Sequence, residues 1–149
     1  MSDSAVQIQN LVYRYAELID LGDFDGLGNL LGGAEVGSAD SPESLTGIDA
    51  VVAMFTSSTR RYPDGTPRTK HVTTNLILEI DDVAGTATCR SYFTVLQQVP
   101  DLPLQPIIAG RYHDRFVRDG DTWRFAERRF HIDLVGDLSQ HLLTSLPEA

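Results

Sequence analysis

Hydrophobic and polar positions divide the chain into a first part with helical spacing and a second part with alternating spacing. The first apolar stripe recurs every three or four residues. It predicts a helix that begins at the capping-box pair Ser4 and Gln7 and closes near Gly22. Its apolar positions are Ile8, Leu11, Val12, Tyr15 and Ile19. A second stripe is diluted by glycine and predicts a short or irregular helix; it contains Phe24, Leu27, Leu30 and Leu31.

A stretch of small and polar residues separates these helices from a third one. Residues 32–44 predict a loop with room for a short strand around Glu35 and Val36. Thr46 and Asp49 have capping-box spacing ahead of an apolar stripe. The stripe consists of Ile48, Val51, Val52 and Phe55, and the segment from Pro63 to Pro67 ends the helix.

After Lys70 the apolar period shortens to that of β-strands. Four runs predict strands: Lys70 to Asp81, Thr86 to Val99, Pro106 to Arg118, and Thr122 to Asp133. Short joints between neighbouring runs indicate an antiparallel meander. Helices followed by antiparallel strands are typical of the α+β class, with helices packed on one face of a curved sheet.

Length and composition narrow the class further. With 149 residues the chain suits a single domain over residues 1–149. Its formal net charge of -9 argues against nucleic acid as a partner, and its apolar runs are too short to span a bilayer. The single cysteine, Cys89, excludes an intrachain disulfide and a thiolate metal cluster. The first residues lack a signal-peptide pattern, so we expect a cytoplasmic protein.

The best candidates for chemistry are a histidine at the head of the first strand and an acid at the end of the first helix. A carboxylate in the last helical turn faces the negative end of the helix dipole, which costs on the order of 0.3 to 1 kcal/mol when exposed. Asp20 occupies such a position and is either a solvated acid or a functional one. His71 can move a proton at neutral pH if such a carboxylate orients it.

Strand alternation conflicts with a role for His71 inside a pocket. In a regular strand His71 and Asn75 share a face with Thr73, while an apolar set occupies the other face: Val72, Leu76, Leu78 and Ile80. That pattern leaves His71 outside unless one end of the sheet is a polar cavity or an oligomer contact. Alone, His71 is more often a structural histidine than a base.

Other aromatic and basic residues are weaker candidates. Tyr15 lies on the apolar stripe and its hydroxyl needs a partner, although it converges with Asp20 only if the chain bends there. Alternation places Tyr112 inward and His113 at an exposed face or subunit contact. His131 is a candidate for the pocket, with a surface role as the alternative. Trp123 and Phe125 are expected in the core, and Glu127-Arg128-Arg129 at a charged strand edge.

Several common signatures are missing from the sequence. There is no glycine-rich phosphate loop, no nucleophile elbow and no closely spaced histidine pair for zinc. We therefore expect neither a metal nor a cofactor, and proton transfer by side chains alone.

The order of these motifs resembles the SnoaL-like family of the nuclear transport factor 2-like superfamily. The resemblance runs over nearly the whole chain: Ile8 to Asp20 with the following Gly-Asp-Phe-Asp, Gly47-Ile-Asp-Ala-Val, His71-Val-Thr-Thr-Asn75, Gly110-Arg-Tyr-His-Asp114, and Trp123-Arg-Phe with Glu127-Arg128-Arg129. It implies a cone-shaped α+β barrel with an apolar pocket at one end. Polar strand residues near the mouth of such a cone can face the cavity.

The resemblance also implies a catalytic set. Scytalone dehydratase and bile-acid 7α-dehydratase use a tyrosine and an aspartate of the first helix with a histidine of the sheet, and Tyr15, Asp20 and His71 match those positions. Phe55, Asn75, Tyr112 and His131 are then expected to contact a substrate.

The implied function is a cofactor-independent lyase or isomerase, of the dehydratase or polyketide-cyclase type, acting on a small apolar cyclic substrate. The alternatives are a non-catalytic ligand-binding or assembly subunit, such as the small subunit of a ring-hydroxylating dioxygenase, and an interaction module that uses the open sheet face. A homodimer or homotrimer is expected.

Overall fold

The computed structural model describes residues 3–144, which form three helices and a five-stranded sheet. The helices are α1 (Ser4–Leu21), α2 (Phe24–Leu31) and α3 (Ile48–Ser58). The strands are β1 (Glu35–Ser38), β2 (Thr69–Asp81), β3 (Thr86–Val99), β4 (Leu102–Asp119) and β5 (Thr122–Val135). None of the helices within residues 3–144 is long and apolar enough to cross a membrane.

The sheet has the strand order β1-β5-β4-β3-β2. Strands β2 to β5 form the predicted antiparallel meander, and β1 adds to it in parallel with β5, pairing Glu35 with Glu127. Helix α1 contacts both β2, at one edge, and β5, near the other. Because one helix reaches both sides, the sheet must curve around it. The α+β class predicted from the sequence, with helices inside a strongly curved sheet, is confirmed.

Neither predicted capping box forms. Asp3 caps α1, and its side chain accepts a hydrogen bond from the Ala5 amide at 2.8 Å. Gln7 instead reaches β5, where its side-chain oxygen accepts from the Trp123 amide at 3.1 Å. Helix α3 begins after Gly47, which has a φ of 101° and no side-chain cap. These changes move helix starts by a residue or two and leave the apolar faces unchanged.

A β-bulge in β2 resolves the conflict of faces at His71. The register with β3 shifts between Thr74 and Ile77, and Asn75 adopts a φ of 58°. The extra residue reverses the alternation. His71 and Thr73 therefore point to the same inner side as Leu76, Leu78 and Ile80, whereas Val72 and Ile77 face outward and are exposed.

The fourth strand is longer than the sequence predicts. It begins at Leu102 rather than at Pro106, so most of the expected proline-rich loop belongs to the β3–β4 hairpin. Pro106 pairs with Leu96 immediately after a register shift. Proline is tolerated there because the irregular ladder does not need its missing amide.

The core lies between the three helices and the inner face of the sheet. It contains the apolar stripes of α1 and α2 together with Val51, Phe55, Trp123 and Phe125. The predicted core positions Trp123 and Phe125 are thus confirmed. The last four residues of β5, from Ile132 to Val135, leave the core and are exposed.

Candidate active site

His71 and Asp20 form a close, largely buried pair. His71 Nδ1 lies 2.7 Å from Asp20 Oδ1, and the exposed fractions of the two side chains are 5% and 10%. A carboxylate can only accept at this contact, so in the neutral ring Nδ1 carries the proton and Nε2 is left as the basic nitrogen. The structure therefore brings together the two residues that the sequence singled out.

Asp20 is held in place by two further hydrogen bonds from β2. Its Oδ2 accepts from the His71 backbone amide at 2.8 Å, and its Oδ1 accepts from the Thr69 hydroxyl at 2.9 Å. These donors offset the unfavourable position at the carboxyl end of α1. The helix ends at Leu21. The next residue, Gly22, adopts a φ of 72°, and its amide donates to the Ile19 carbonyl. Thr69 was not identified from the sequence.

Tyr15 joins the pair through the histidine ring rather than through Asp20. The ring centroids of Tyr15 and His71 are 6.3 Å apart, in an edge-on arrangement. Helix α1 is continuous to Leu21, so the bend that would let Tyr15 converge directly with Asp20 is absent. From β2, His71 contacts both Tyr15 and Asp20, which lie on different sides of helix α1.

Aromatic rings enclose Tyr15. Phe55, Tyr112 and Phe130 lie at centroid distances of 6.2, 5.7 and 6.4 Å from it. Tyr15 and Tyr112 are 3% and 2% exposed. Burial raises the pKa of Tyr15 to about 12 and that of Tyr112 well above its usual value. Both hydroxyls consequently remain protonated near neutral pH and can donate hydrogen bonds.

A buried ion pair lies against these tyrosines. Arg128 makes two hydrogen bonds of 2.8 Å to Asp114, and both side chains are completely buried. The guanidinium carbon of Arg128 is 3.8 Å from the Tyr112 ring centroid and 4.4 Å from that of Tyr15. Its Nη1 has no hydrogen-bond partner within the described residues. Arg128, expected at a charged strand edge, is instead an interior cation.

The segment after β5, residues 136–143, brings a second histidine to the site; we call it the strap. His141 is 6% exposed, and its ring centroid is 6.4 Å from that of His71. Burial, followed by the neighbouring His71, lowers the pKa of His141 to about 4, so this ring is neutral at pH 7. His141 was not identified from the sequence, because no periodic pattern extends to it.

Two of the expected substrate contacts lie elsewhere. Asn75 is exposed at the bulge and lines an outer groove with Arg90, Tyr92 and Arg111. His131 is also on the outer face, where its ring is 4.2 Å from that of His113. Neither side chain can share a cavity with the His71–Asp20 pair, which corrects both expectations.

Three other residues lie where the sequence placed them. Phe55 and Tyr112 lie in the interior, and His113 is exposed as alternation predicted.

The site as a whole combines a hydrogen-bonded histidine–aspartate pair, protonated phenols and a buried cation inside the curved sheet. Within residues 3–144, no group of three or more His, Cys, Asp or Glu side chains is arranged to hold a metal ion. The His71–Asp20 pair thus lies at one side of a largely apolar, aromatic interior. The chain belongs to the SnoaL-like family, whose domain model matches residues 2–129.

Solved structures with this fold come from several bacteria. A protein of unknown function from Mycobacterium tuberculosis is 25% identical, with a TM-score of 0.68 over 87% of this chain and 71% of that one. A candidate scytalone dehydratase from Novosphingobium aromaticivorans is 20% identical, with a TM-score of 0.68 over 89% and 86% of the two chains. A nuclear transport factor 2-like protein with a cystatin-like fold, from the same organism, is 21% identical, with a TM-score of 0.67 over 86% and 80%. No curated protein sequence matches this chain.

Proposed function

We propose that this protein is a cofactor-independent lyase or isomerase of the dehydratase or polyketide-cyclase type. The observation that carries the proposal is the buried contact of 2.7 Å between His71 Nδ1 and Asp20 Oδ1, with Tyr15 against the same imidazole. A histidine oriented by a fixed carboxylate is suited to take and return protons at neutral pH.

In the proposed reaction His71 Nε2 removes a proton from the carbon next to a substrate carbonyl. The electron pair of the broken C–H bond moves into the carbonyl to give an enolate, and Asp20 stabilises the imidazolium that forms. In a dehydration the imidazolium returns its proton to a β-hydroxyl, which leaves as water while the enolate becomes an enone. In an isomerisation the same proton goes to a different carbon.

The developing enolate oxygen is assigned to Tyr15, with Tyr112 as a second donor. Both phenols are protonated and buried, as their raised pKa values require. Arg128 adds a positive charge within contact of both rings. A preorganised donor in such an environment contributes about 2.7 to 4 kcal/mol to transition-state stabilisation.

The surrounding residues favour a small, apolar cyclic substrate. Phe55, Phe130 and Tyr112 offer ring faces and edges around Tyr15. The likeness to a candidate scytalone dehydratase supports this reaction class by analogy of fold alone. We also assign the protein to the cytoplasm, where its one free, buried thiol, Cys89, stays reduced.

The proposal is tested by incubating the protein with hydroxylated ketosteroids and polyketide-like enones and following enone absorbance. His71→Ala and Asp20→Asn should each lower kcat/KM at least about 100-fold, the usual contribution of a general base. The matched control is His113→Ala, which removes an exposed histidine from the outer face and should leave turnover unchanged. Activity that survives both interior substitutions would reject the assignment.

A non-catalytic assembly subunit is the second candidate, and the outer face of the sheet favours it. Ile77, Tyr92 and Leu134 are 46%, 53% and 69% exposed there. Apolar side chains in such numbers are typical of an association surface, and a homodimer or homotrimer would cover them. Mass determination in solution tests the association. An oligomer without turnover on any substrate would favour this candidate.

A further inference from the structure

The strap holds His141 in a fixed position beside His71. The His141 carbonyl accepts from the Arg60 amide at 2.8 Å, and the Leu143 amide donates to the Ser58 carbonyl at 2.9 Å. The preceding residue, Gln140, accepts at its carbonyl from Gln97 Nε2 at 3.1 Å. These bonds on both sides of His141 therefore fix its backbone, and its ring lies with its centroid 6.4 Å from that of His71.

His141 Nδ1 is buried and has no hydrogen-bond partner among residues 3–144. Buried polar atoms are nearly always paired, and leaving one unpaired costs about 1 to 3 kcal/mol. His71, whose own Nδ1 is satisfied by Asp20, is the ring that His141 contacts. An unpaired nitrogen fixed beside the proton-transfer residue is placed to receive a group from a bound ligand.

A neutral imidazole nitrogen restricts the kind of ligand group that can bind to His141 Nδ1. Nδ1 is a donor in one tautomer and an acceptor in the other. A hydroxyl group satisfies either tautomer, because it both donates and accepts, whereas a carbonyl oxygen satisfies only one. An anion is disfavoured because the ring carries no charge at neutral pH and lies close to the Asp20 carboxylate.

We propose that His141 Nδ1 binds a hydroxyl group of the substrate beside the position where His71 moves a proton. This inference rests on the proposed function and narrows its substrate. The carbonyl oxygen lies towards Tyr15 and Arg128, and a second oxygen, on the ring atom two bonds from the carbonyl carbon, lies towards His141. The substrate class is therefore a cyclic β-hydroxy carbonyl compound, and His141 is a residue that determines specificity.

Phenol and resorcinol provide a direct test in the full-length protein. A phenolic oxygen mimics an enolate oxygen, and resorcinol adds a second hydroxyl at the spacing of a β-hydroxy carbonyl compound. Dissociation constants are measured for both probes with the wild type, His141→Phe and His141→Gln. Wild type should bind resorcinol about five- to tenfold more tightly than phenol, the usual effect of one hydrogen bond.

The two variants separate hydrogen bonding from packing. His141→Phe keeps the ring volume and should bind both probes equally, with the affinity for phenol unchanged. His141→Gln retains a donor and an acceptor and should keep most of the preference. If the phenylalanine variant does not fold, nitrogen chemical shifts of the wild-type His141 ring give the answer, because they should move with resorcinol and not with phenol.

The inference is overturned if wild type binds the two probes equally, if His141→Phe keeps the preference, or if both probes shift the His141 ring alike. Failure of the proposed function has a different signature. Because binding needs no turnover, a protein without lyase or isomerase activity would still show the resorcinol preference. His71→Ala should likewise retain it while losing activity.

Discussion

At the scale of single residues, Arg128 and Asp114 are the most demanding pair in the interior. Two charges leave water completely, and their attraction compensates only because the contact is bidentate. Burial raises the pKa of Asp114, while Arg128 acts in the opposite direction. Since Arg128 also stacks on Tyr15 and Tyr112, the pair fixes the rings that would face an enolate.

Removal of one charged partner should therefore lower the free energy of unfolding far more than removal of both. Arg128→Met leaves an uncompensated buried carboxyl group and should lower the free energy of unfolding by about 3 to 5 kcal/mol. Adding Asp114→Leu should recover most of that loss. Urea denaturation of the single and double variants measures both effects.

An exposed ion pair serves as the control for these single and double variants. Arg111 and Asp133 form a bidentate pair of similar geometry, but each side chain is 40% exposed. Arg111→Met should change the free energy of unfolding by less than about 1 kcal/mol. A double interior variant as unstable as Arg128→Met would show that the carboxyl group is not what the arginine compensates.

At the scale of secondary-structure elements, two bulges decide which side chains enter the site. In β2 the bulge at Asn75 allows His71 to face inward together with Leu76 and Leu78. In β5 the register with β4 skips a residue between Phe125 and Glu127, which turns Arg128 inward. Without these extra residues, strand alternation would place His71 or its apolar neighbours outside, and Glu127 rather than Arg128 inside.

The bulge in β2 makes Asn75 sensitive to substitution although its side chain is exposed. Its φ of 58° is accessible to asparagine and glycine and strained for a β-branched residue. Asn75→Val should lower the free energy of unfolding by about 1 to 2 kcal/mol, whereas Asn75→Gly should be nearly neutral. Thr74→Val, a neighbouring exposed position with extended backbone, is the control. Equal stability of the valine and glycine variants would mean that the bulge relaxes.

Bulges also explain how far the sequence could predict this site. The helical stripes predicted α1, α2 and α3, and the alternating runs predicted the meander. Asp20 and His71 were identified as partners because the family resemblance supplied a proximity that periodicity could not. The predicted positions of Arg128 and Asn75 were wrong because strict alternation of side chains along a strand does not indicate where a bulge inserts a residue. Thr69 and His141 were missed because their roles depend on contacts between segments far apart in the chain.

At the scale of the whole molecule, the strap closes the interior and makes that closure sensitive to acid. The strap connects the end of β5 to β4, to β3 and to the loop after α3. The Gly136 amide donates to the Ile107 carbonyl, while the Tyr62 hydroxyl and the Gln97 side chain both donate to the Gln140 carbonyl. With Tyr15, His71 and His141 nearly inaccessible, a ligand can enter only if some closing element moves.

Protonation of His141 should open the strap as the pH falls. The pKa of His141 drops from 6.5 in the unfolded chain to about 4 in the closed state. Between these values the unfolded or open ring binds more protons than the closed one. The closed state is therefore fully favoured above pH 6.5 and loses stability as the pH falls towards 4, with an upper limit on the order of 3 kcal/mol. The groups that face the ring are His71, which also disfavours its charge, and Asp20, which favours it.

Hydrogen exchange measures this loss locally, through protection factors of the amides that close the strap. The Arg60 and Leu143 amides, which bond His141 and Ser58, should lose protection progressively from pH 6.5 to 4, because strap opening relieves the buried charge before the sheet unfolds. Amides of β3 and β4 at the centre of the sheet should keep theirs. His141→Gln removes the histidine of the strap and should remove the pH dependence at both reporter amides. The other titratable group of the strap, Asp137, does not interfere, because hydrogen bonds from Ser139 lower its pKa from the usual value of 3.8, below this pH range. Protection that falls equally in this variant would assign the acid sensitivity to carboxylates elsewhere in the protein.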